Sequence, residues 1–316
     1  MRAVHLENGT VSVRRAAMPR RPDGFSRIRL IAAGICNTDL ELMRGYYGFR
    51  GRPGHEFVGE VVESADSQFI GRRVVGEINL PCGQCDWCAR DLGRHCPRRT
   101  VLGIVRHPGA FADFLTLPDR NLHLVPRSMS TERAVFTEPV AAACEILEQV
   151  HIPRGQRVAV LGDGKLGLLI AQVLHLHGAH TILYGRHESK LRIARDAGVE
   201  TVLAPKRMPR ADFHFVVDAT GSPSGLMTAV GMARPRGVVV MKSTVHGSVP
   251  LDAAPVIVNE ISLVGSRCGR FEPALRLLPK LNLDPMIAAR FPLDHAPEAF
   301  AEASRSGVLK VLLTAD

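Results

Sequence analysis

The sequence lacks the features that mark disordered, membrane-spanning and nucleic-acid-binding chains. It has one Trp and three Tyr among 316 residues, which leaves few rings to stack on bases. No five like charges stand in a row, and the longest apolar stretch, from Val158, is broken by Asp163 and Lys165 before it reaches the ~18 residues that a membrane helix needs. With 46% apolar and 22% charged residues, the chain is expected to be globular, with neither membrane nor nucleic acid as a partner.

A secretion signal and a disulfide framework are missing as well. The first residues, MRAVHLENGT, contain no apolar signal core. There are seven cysteines, an odd number, and four of them lie between Cys82 and Cys96, whereas a secreted framework usually has an even count in a short chain. We therefore expect a reducing, cytoplasmic location and clustered thiols that hold a metal.

Basic residues, by contrast, are in excess. Forty Lys and Arg against 31 Asp and Glu give a net charge of +9. This balance favours an anionic partner such as a nucleic acid, a membrane surface or a phosphorylated small molecule. The excess is spread along the chain, so an ordinary basic surface explains it equally well, and a dedicated nucleic-acid binder is disfavoured.

The pattern of strands and helices changes near residue 140. Before it, short β-branched runs such as 26–33 and 57–64 alternate with Gly and Pro, which predicts a β-rich region. Beyond it, short apolar strands alternate with helices, which predicts βαβ units and a doubly wound parallel sheet. The strands predicted there are 156–161, 180–184, 213–219, 238–242 and 261–265, and the helices are 165–177 and 188–197. After residue 270 we expect a helix at 272–280 and a closing strand at 308–313.

A glycine-rich turn separates the first of these strands from its helix. It reads G-D-G-K-L-G and consists of Gly162, Asp163, Gly164, Lys165, Leu166 and Gly167. In a dinucleotide-binding turn, the first glycine allows the bend, the second lets a pyrophosphate approach the backbone, and the third lets the helix pack on the strand. The phosphates then bind at the helix N-terminus. The strand–turn–helix context predicts dinucleotide binding, and a turn used only for packing is the alternative.

The end of the second strand indicates which dinucleotide binds. A carboxylate is expected there to bind the ribose 2′-hydroxyl, but the residues present are Gly185, Arg186 and His187. We interpret the glycine as making room for a 2′-phosphate and Arg186 as the partner of that phosphate, which favours NADP over NAD. In the alternative, Arg186 is a solvated loop residue and Glu188 binds the ribose.

Four thiols follow C-x2-C-x2-C-x7-C spacing, at Cys82, Cys85, Cys88 and Cys96. Four thiolates satisfy tetrahedral Zn²⁺ and leave no open position, so a structural zinc site is predicted. The x7 gap departs from the ferredoxin run C-x2-C-x2-C-x3-C-P, although Pro97 does follow the last cysteine. An iron–sulfur cluster and metal-free thiols are the less favoured alternatives.

Three further segments contain residue types that bind metals. They are 34–39 with Cys36, 54–57 with His55 and Glu56, and 137–139 with Glu138. Cys36 alone is also compatible with a buried core thiol. His55 and Glu56 would face opposite sides of a strand, so both reach one metal only where the backbone turns. Spacing alone leaves the metal site open.

Taken together, these segments resemble the zinc-containing medium-chain alcohol/polyol dehydrogenases. The matching motifs occur in family order from residue 34 to 167 and are G-I-C-N-T-D, G-H-E-F-V-G-E, the four-cysteine lobe, G-A-F-A-D-F-L, T-E-P and G-D-G-K-L-G. V-V-D-A-T-G-S at 216–222 and R-G-V-V-V at 236–240 extend the resemblance through most of the chain. It implies an α/β protein in which a GroES-like β-rich catalytic domain (1–140 with 271–316, zinc lobe about 80–98) is split around a Rossmann doubly wound domain at 141–270.

The resemblance also implies a catalytic zinc held by Cys36 and His55, with Glu56 or Glu138 as the third protein ligand. Thr38 matches the family hydroxyl that passes the alcohol proton outward. The family often continues this relay with a histidine where this chain has Glu41. The onward path therefore falls to Glu41, Asp39 or water, and Asp39 is equally suited to orient a ligand.

The function implied is hydride transfer between a nicotinamide cofactor, with NADP preferred, and an alcohol, polyol or sugar hydroxyl or the matching carbonyl. Glu138 stands where classical alcohol dehydrogenases have a cysteine, which points to the polyol, sugar and threonine branches of the family. One catalytic and one structural zinc per chain and a homodimer or homotetramer are implied as well. The alternatives are an NAD-linked threonine or sugar dehydrogenase and, outside enzymes, a nucleotide- or nucleic-acid-binding zinc protein.

Overall fold

The structure is a computed structural model in which residues 1–243 and 248–315 are described. Its strands are β1 (Arg2–Glu7), β2 (Thr10–Arg15), β3 (Phe25–Gly34), β4 (Glu56–Glu63), β5 (Arg73–Gly76), β6 (Asn79–Leu80), β7 (Thr100–Leu102), β8 (Arg106–His107), β9 (Phe114–Pro118), β10 (Leu122–Leu124), β11 (Arg157–Leu161), β12 (His180–Gly185), β13 (Glu200–Leu203), β14 (Phe213–Asp218), β15 (Ala233–Met241), β16 (Ser262–Gly265), β17 (Ile287–Pro292) and β18 (Lys310–Thr314). Its helices are α1 (Asn37–Met43), α2 (Asp86–Ala89), α3 (Thr131–Val135), α4 (Thr137–Gln149), α5 (Lys165–His177), α6 (Glu188–Arg195), α7 (Gly225–Met232), α8 (Ala253–Val258), α9 (Phe271–Leu277) and α10 (Ala296–Ala303).

The chain divides into two compact units. The first consists of Met1–Glu138, Ala274–Pro279 and Ile287–Asp316, and the second of Pro139–Pro273 and Lys280–Met286. Asp316, the last residue of the predicted first domain, lies outside the described residues. Because the chain returns to the first unit after completing the second, the first unit contains both ends of the described chain.

The segment Lys280–Met286 differs from the predicted division, which assigned all of 271–316 to the first domain. Its Asn282 is tied to the helices of the second unit. The backbone N–H of Asn282 donates to Oε1 of Gln172 at 2.7 Å, and its side-chain amide donates to the carbonyl of Ile193 at 3.1 Å. Gln172 is almost fully buried, so this bond satisfies a polar group within the core of the second unit.

The first unit is built on a seven-stranded sheet around β3. The strand order is β10-β5-β4-β3-β18-β17, and β9 also pairs with β3. Along β3, Ser26, Ile28 and Leu30 are buried in alternation, as expected for a strand with one face on the core. β18 pairs antiparallel with β3, so Leu312 lies opposite Gly34. The last strand of the chain thus lies beside the residues that precede Cys36.

The second unit is a parallel six-stranded sheet with the order β13-β12-β11-β14-β15-β16. Every neighbouring pair in it is parallel. Val158–Leu161 are all buried, which is the continuous apolar pattern of a strand covered on both faces. Helix α5 has the predicted bounds. The predicted βαβ units and doubly wound parallel sheet are thus present in the second unit.

Some elements were not predicted from the sequence. The hairpin of β1 and β2, the edge strand β13 and the helix α7 all fall outside the predicted set. Strand β15 begins at Ala233, five residues before its predicted start at 238, because its first residue pairs with Phe213 before a register shift. None of the described helices combines the length and apolar character needed to cross a bilayer.

Candidate metal centre and cofactor site

Three of the predicted metal ligands lie together in the first unit. One ligand atom each from Cys36, His55 and Glu56 lies within 4.8 Å of the others. Cys36 caps the N-terminus of α1 just after β3, and Glu56 begins β4. β3 and β4 pair with Gly34 opposite Glu56, and this register brings residues twenty positions apart in the chain to one corner of the sheet.

A backbone turn before β4 lets His55 and Glu56 face the same point. Gly54 has a φ of +101°, a conformation that glycine adopts without strain. A Cβ added there would lie 2.5 Å from Cδ1 of Phe111, so the turn is also packed too closely for a side chain. The turn that the sequence analysis required for a shared metal is therefore present.

Asp39 fixes the positions of two of these residues. It is fully buried. Its Oδ2 accepts a hydrogen bond from the backbone N–H of Cys36 at 2.8 Å, and its Oδ1 accepts one from Gly54 at 3.1 Å. Nδ1 of His55 lies 3.5 Å from Oδ1. A carboxylate behind a histidine that binds metal sets the tautomer and orientation of the ring, and Asp39 occupies that place.

The charge around His55 is negative. Burial alone lowers the pKa of this histidine, but the nearby Asp39 carboxylate and Cys36 thiol raise that pKa well above its ordinary value. Without an ion, the site therefore attracts a proton. A metal cation would meet the same negative charge and would displace that proton on binding.

The two carboxylate oxygens of Glu56 differ, because one forms an ion pair and the other has no hydrogen-bond partner. Its Oε2 forms an ion pair with Nζ of Lys310, and both side chains are buried. Oε1 is buried and has no hydrogen-bond partner. Such an orphaned carboxylate oxygen is costly, and binding a cation would remove the cost. The donor set of thiol, imidazole and carboxylate suits Zn²⁺.

Lys310 completes the surroundings of the cluster. Its Nζ lies 5.7 Å from the centre of the Phe136 ring. Although burial lowers the pKa of a lysine, the charges of Glu56, Cys36 and Glu138 together hold the pKa of Lys310 above its ordinary value. Lys310 lies 254 residues from Glu56, and no sequence motif indicated that it would contact the site.

The remaining predicted residues of this site are less closely grouped. Glu138 lies in the first turn of α4 and is not among the three grouped ligand residues, although its charge reaches Lys310. Oγ1 of Thr38 lies 3.8 Å from Sγ of Cys36. Glu41 pairs with Arg44 at 2.6 Å. Of the two carboxylates considered for the onward relay, Glu41 has a surface partner and Asp39 has the orienting contacts described above.

The four cysteines of the lobe form a compact cluster. Cys82 and Cys96 have their Sγ atoms 3.5 Å apart. The Sγ separations are 3.5 Å for Cys85–Cys88, 3.6 Å for Cys85–Cys96 and 4.0 Å for Cys82–Cys88. Zn–S bonds of about 2.3 Å in a tetrahedron imply S···S distances of about 3.8 Å. The separations therefore fit a single tetrahedral ion.

The lobe has few buried side chains, since Leu80 and Cys96 alone are buried among residues 80–98. Helix α2 has four residues, none of them buried, and Cys96 is the one buried ligand. The backbone N–H of Gln84, together with the neighbouring thiols, lowers the pKa of Cys82 to about 6. Burial and the neighbouring thiols raise the pKa of Cys85 to about 11. The thiols therefore do not all ionise together, and a cation that binds their thiolate forms would release the remaining protons.

The glycine-rich turn of the second unit has the geometry expected of a dinucleotide-binding turn. Gly162 has a φ of +107°. A Cβ on Gly167 would overlap the carbonyl oxygen of Gly162, whereas a Cβ on Gly164 would meet nothing within 4 Å. The first and third glycines are thus required by the backbone, and the second faces open space at the N-terminus of α5, which begins with Lys165 and Leu166.

At the end of β12, the space beside Gly185 is not empty, contrary to the interpretation that this glycine leaves room for a phosphate. A Cβ on Gly185 would lie 2.7 Å from Cβ and from Oδ2 of Asp163, and 2.7 Å from Cδ2 of Leu191. The space beside the glycine is filled by the Asp163 side chain, which comes from the glycine-rich turn. Glu188 pairs with Arg195 at 2.8 Å, and the exposed Arg186 side chain makes no hydrogen bond or ion pair with the described residues.

Sequence reasoning missed two residues, Asp163 and Lys310. Asp163 was treated as a spacer between two glycines, and its contact with the end of β12 depends on how two strands are paired. The contact of Lys310 with Glu56 depends on β18 joining β3. A buried lysine in a closing apolar strand was the available signal for the second residue, because an isolated charge is rarely buried without a partner.

Comparison with known proteins identifies the family. Residues 22–127 match the family described as alcohol dehydrogenase GroES-like domain, and residues 166–280 match zinc-binding dehydrogenase. D-altritol 5-dehydrogenase of Agrobacterium fabrum is 30% identical over 83% of this chain and 82% of its own.

Two solved structures are also similar. A zinc-binding dehydrogenase from Sinorhizobium meliloti 1021 bound to NADP has a TM-score of 0.91 and 28% identity, over 99% of this chain and 98% of that chain. An alcohol dehydrogenase from Escherichia coli CFT073 complexed with NADH has a TM-score of 0.89 and 25% identity, over 99% of both chains. The chain therefore belongs to the zinc-containing medium-chain dehydrogenase family and is an alcohol or polyol dehydrogenase of that family.

Proposed function

We propose that this protein transfers a hydride between NADP(H), in preference to NAD(H), and a polyol or sugar alcohol or its carbonyl counterpart. One catalytic and one structural zinc ion per chain support this activity. The observation that carries the proposal is the grouping of the half-buried Cys36 with the buried His55 and Glu56, in which a carboxylate oxygen of Glu56 has no hydrogen-bond partner. The substrate class is taken from the polyol in the name of the Agrobacterium relative.

In the catalytic site, Cys36, His55 and Glu56 are the proposed zinc ligands. Glu56 is preferred to Glu138 because it is grouped with the other two ligands and Glu138 is not. Zinc at such a site acts as a Lewis acid towards the oxygen of the substrate. Asp39 orients His55, and Lys310 holds the second oxygen of Glu56, so that Oε1 is directed away from the ion pair.

Thr38 is the proposed acceptor of the substrate hydroxyl proton. Its hydroxyl lies beside the thiol of Cys36, within the first turn of α1. A hydroxyl can accept one proton and donate another, which suits it to pass a proton outward. Asp39 has both of its oxygens engaged and Glu41 is paired with Arg44, so we assign the next step to water.

In the cofactor site, the pyrophosphate is proposed to bind at the N-terminus of α5. Gly164 caps this 13-residue helix and has open space where its side chain would be. Free N–H groups and the helix dipole favour an anion at this position. Arg186 is the proposed partner of the 2′-phosphate, because its guanidinium is exposed and has no protein acceptor among the described residues.

The function is tested by a substrate and cofactor screen. Polyols, sugars, aldehydes and amino alcohols are each assayed with NADP(H) and NAD(H), on wild-type protein and on Thr38→Val, which removes only the hydroxyl function. We expect turnover of at least one polyol or sugar alcohol, and a fall in kcat of about 100-fold in Thr38→Val, as for loss of a positioned acid–base group. Turnover of amino alcohols alone would favour the threonine dehydrogenase alternative, and no turnover of any alcohol would contradict the proposal.

We also propose a homodimer or homotetramer in the cytoplasm. β16 lies at one end of the sheet of the second unit and has no further strand beside it among the described residues. The preceding helix α8 exposes Ile257 by 73% and Val258 by 78%. An unpaired strand edge with an apolar flank favours pairing with a second copy. The cytoplasmic location is supported by seven free cysteines.

A further inference from the structure

The carboxylate of Asp163 lies at the end of β12, where the residue in the strand itself is a glycine. Asp163 is part of the turn after β11, and β11 and β12 are parallel neighbours in the sheet. Both strands therefore end at the same edge. The Cβ and Oδ2 atoms of Asp163 occupy the space that a side chain on Gly185 would need. A negative charge is thus present at this position, although the sequence of β12 contains none there.

Asp163 is engaged by three donors. Its Oδ2 accepts hydrogen bonds from the backbone N–H groups of Arg186 and His187, both at 2.7 Å. Nδ1 of His187 lies 3.0 Å from Oδ2 and 3.2 Å from Oδ1. The side chain of Asp163 is 9% exposed and that of His187 is 48% exposed. The carboxylate therefore lies below the surface, beneath the turn that leads into α6.

These contacts affect what the turn can offer a phosphate. A bound anion usually accepts hydrogen bonds from the backbone N–H groups at the start of a helix. At the start of α6, His187 is the N-cap residue. Here the N–H groups of Arg186 and His187 are already used by Asp163. The guanidinium of Arg186 is then the cationic group of this turn that remains for a 2′-phosphate, and it must act against the charge of Asp163 below it.

We propose that Asp163 is a specificity-determining residue for the cofactor, which weakens binding of the 2′-phosphate and thereby keeps NAD(H) usable. This inference rests on the proposed dinucleotide site. Arg186 attracts the phosphate and Asp163 repels it. The ratio of the NADPH and NADH affinities is therefore set by the difference between this attraction and this repulsion. A ribose without the phosphate carries no net charge for Arg186 to attract or for Asp163 to repel.

The test is direct measurement of the dissociation constants of NADPH and NADH by titration calorimetry. Asp163→Asn keeps the size of the side chain and an acceptor for the backbone N–H groups but removes the charge. We expect NADPH to bind at least about three-fold more tightly than to wild type at low ionic strength, from simple Coulomb repulsion, while NADH binding does not tighten. The gain should shrink at high salt, because exposed charges are screened.

Asp196→Asn is the matched control. It removes the same charge from the exposed C-terminal end of α6, about 12 Å along an eight-residue helix from the turn, so the ratio of affinities should stay at the wild-type value. Asp163→Ser, which retains a smaller acceptor, serves as the second variant if Asp163→Asn does not fold.

The outcomes separate the two proposals. Equal weakening of both cofactors in the folded Asp163 variants, or an unchanged ratio, would show that Asp163 only caps the turn and would overturn this inference. Those results would not contradict the dinucleotide site itself, because the wild-type protein would still bind both cofactors. Failure of the wild-type protein to bind either cofactor would overturn the proposed function and this inference together.

Discussion

At the scale of single residues, the buried ion pair of Lys310 and Glu56 is the contact with the largest expected effect on stability. Both side chains are almost fully buried, and the centre of the Phe136 ring lies 5.7 Å from the ammonium. We expect Glu56→Gln to lower the free energy of unfolding of the metal-free protein by at least about 2 kcal/mol, because it leaves a buried charge without its counter-charge. Chemical denaturation in the presence of a chelator measures this loss.

Two comparisons make that measurement specific. Glu63→Gln, at the other end of β4, removes a solvent-exposed partner of Arg21 and Arg27 and should lower the free energy of unfolding far less, because exposed ion pairs contribute little to stability. The double variant Glu56→Leu with Lys310→Met should recover most of the lost stability, since an apolar pair can replace a buried ion pair. A Glu56→Gln variant as stable as Glu63→Gln would contradict the account of this pair.

Arg186 supplies a second prediction at this scale. Arg186→Ala should raise the dissociation constant of NADPH about ten-fold, equivalent to roughly 1.4 kcal/mol, because it removes the one cation assigned to the 2′-phosphate. NADH should bind as before. Arg192→Ala, a change of the same kind on the exposed face of α6, is the control and should leave both affinities unchanged. An unchanged preference for NADPH in Arg186→Ala would refute the role given to Arg186.

At the scale of structural elements, the cysteine lobe should depend on its metal more than any other part of the first unit. Its helix α2 buries no residue, so the bonds from a central ion to four thiolates replace a hydrophobic core. Removal of the metal with a chelator should open this segment locally. We expect limited trypsin digestion to cut first at Arg90 and Arg94 in the chelated protein and not in the metal-loaded protein.

A pair of cysteine variants tests the same point without a chelator. Cys85→Ser should make the lobe sensitive to trypsin, since it removes one of four ligands. Cys144→Ser, which changes a buried cysteine of the second unit, should leave the lobe resistant. A lobe that resists trypsin after chelation and in Cys85→Ser would show that the thiols are not held by a metal.

Features that depend on contacts between sequence neighbours were predicted better than features that depend on contacts between distant residues. The helix at 165–177 was predicted with its observed bounds, because its signals, a glycine-rich start and a Gly178 end, are local. Asp39 as a residue that orients a ligand was one of two roles considered, and its contacts with Cys36 and Gly54 favour that role. The helix depends on residues that are close in sequence, whereas Asp39 contacts Gly54 across fifteen positions.

Long-range contacts were the ones that sequence patterns did not reveal. Lys310 meets Glu56 because β18 pairs with β3, and Asp163 reaches Gly185 because β11 pairs with β12. Both depend on strand order, which no local motif reports. The choice between Glu56 and Glu138 as zinc ligand was left open for the same reason, since only the packing of β4 beside Cys36 distinguishes them.

At the scale of the whole molecule, the edge strand β16 and the exposed apolar residues of α8 predict self-association. Ile257→Asp combined with Val258→Asp should convert the wild-type oligomer to a smaller species, because charge on the flank of a strand edge opposes pairing. Light scattering coupled to size-exclusion chromatography measures the mass. Leu203→Asp, at an exposed position on the opposite edge strand β13, is the control and should not change it. A monomeric wild type would contradict the prediction.

One zinc ion is proposed at Cys36, His55 and Glu56 and a second one at the four cysteines of the lobe. Elemental analysis of the purified wild-type protein and of Cys36→Ala tests this proposal most directly, with the rate of cofactor reduction by an accepted alcohol measured on the same samples. The account predicts two zinc ions per chain in wild type, and one zinc ion and no measurable cofactor reduction in Cys36→Ala. A Cys36→Ala protein that retains two zinc ions, or that reduces the cofactor at the wild-type rate, would contradict it.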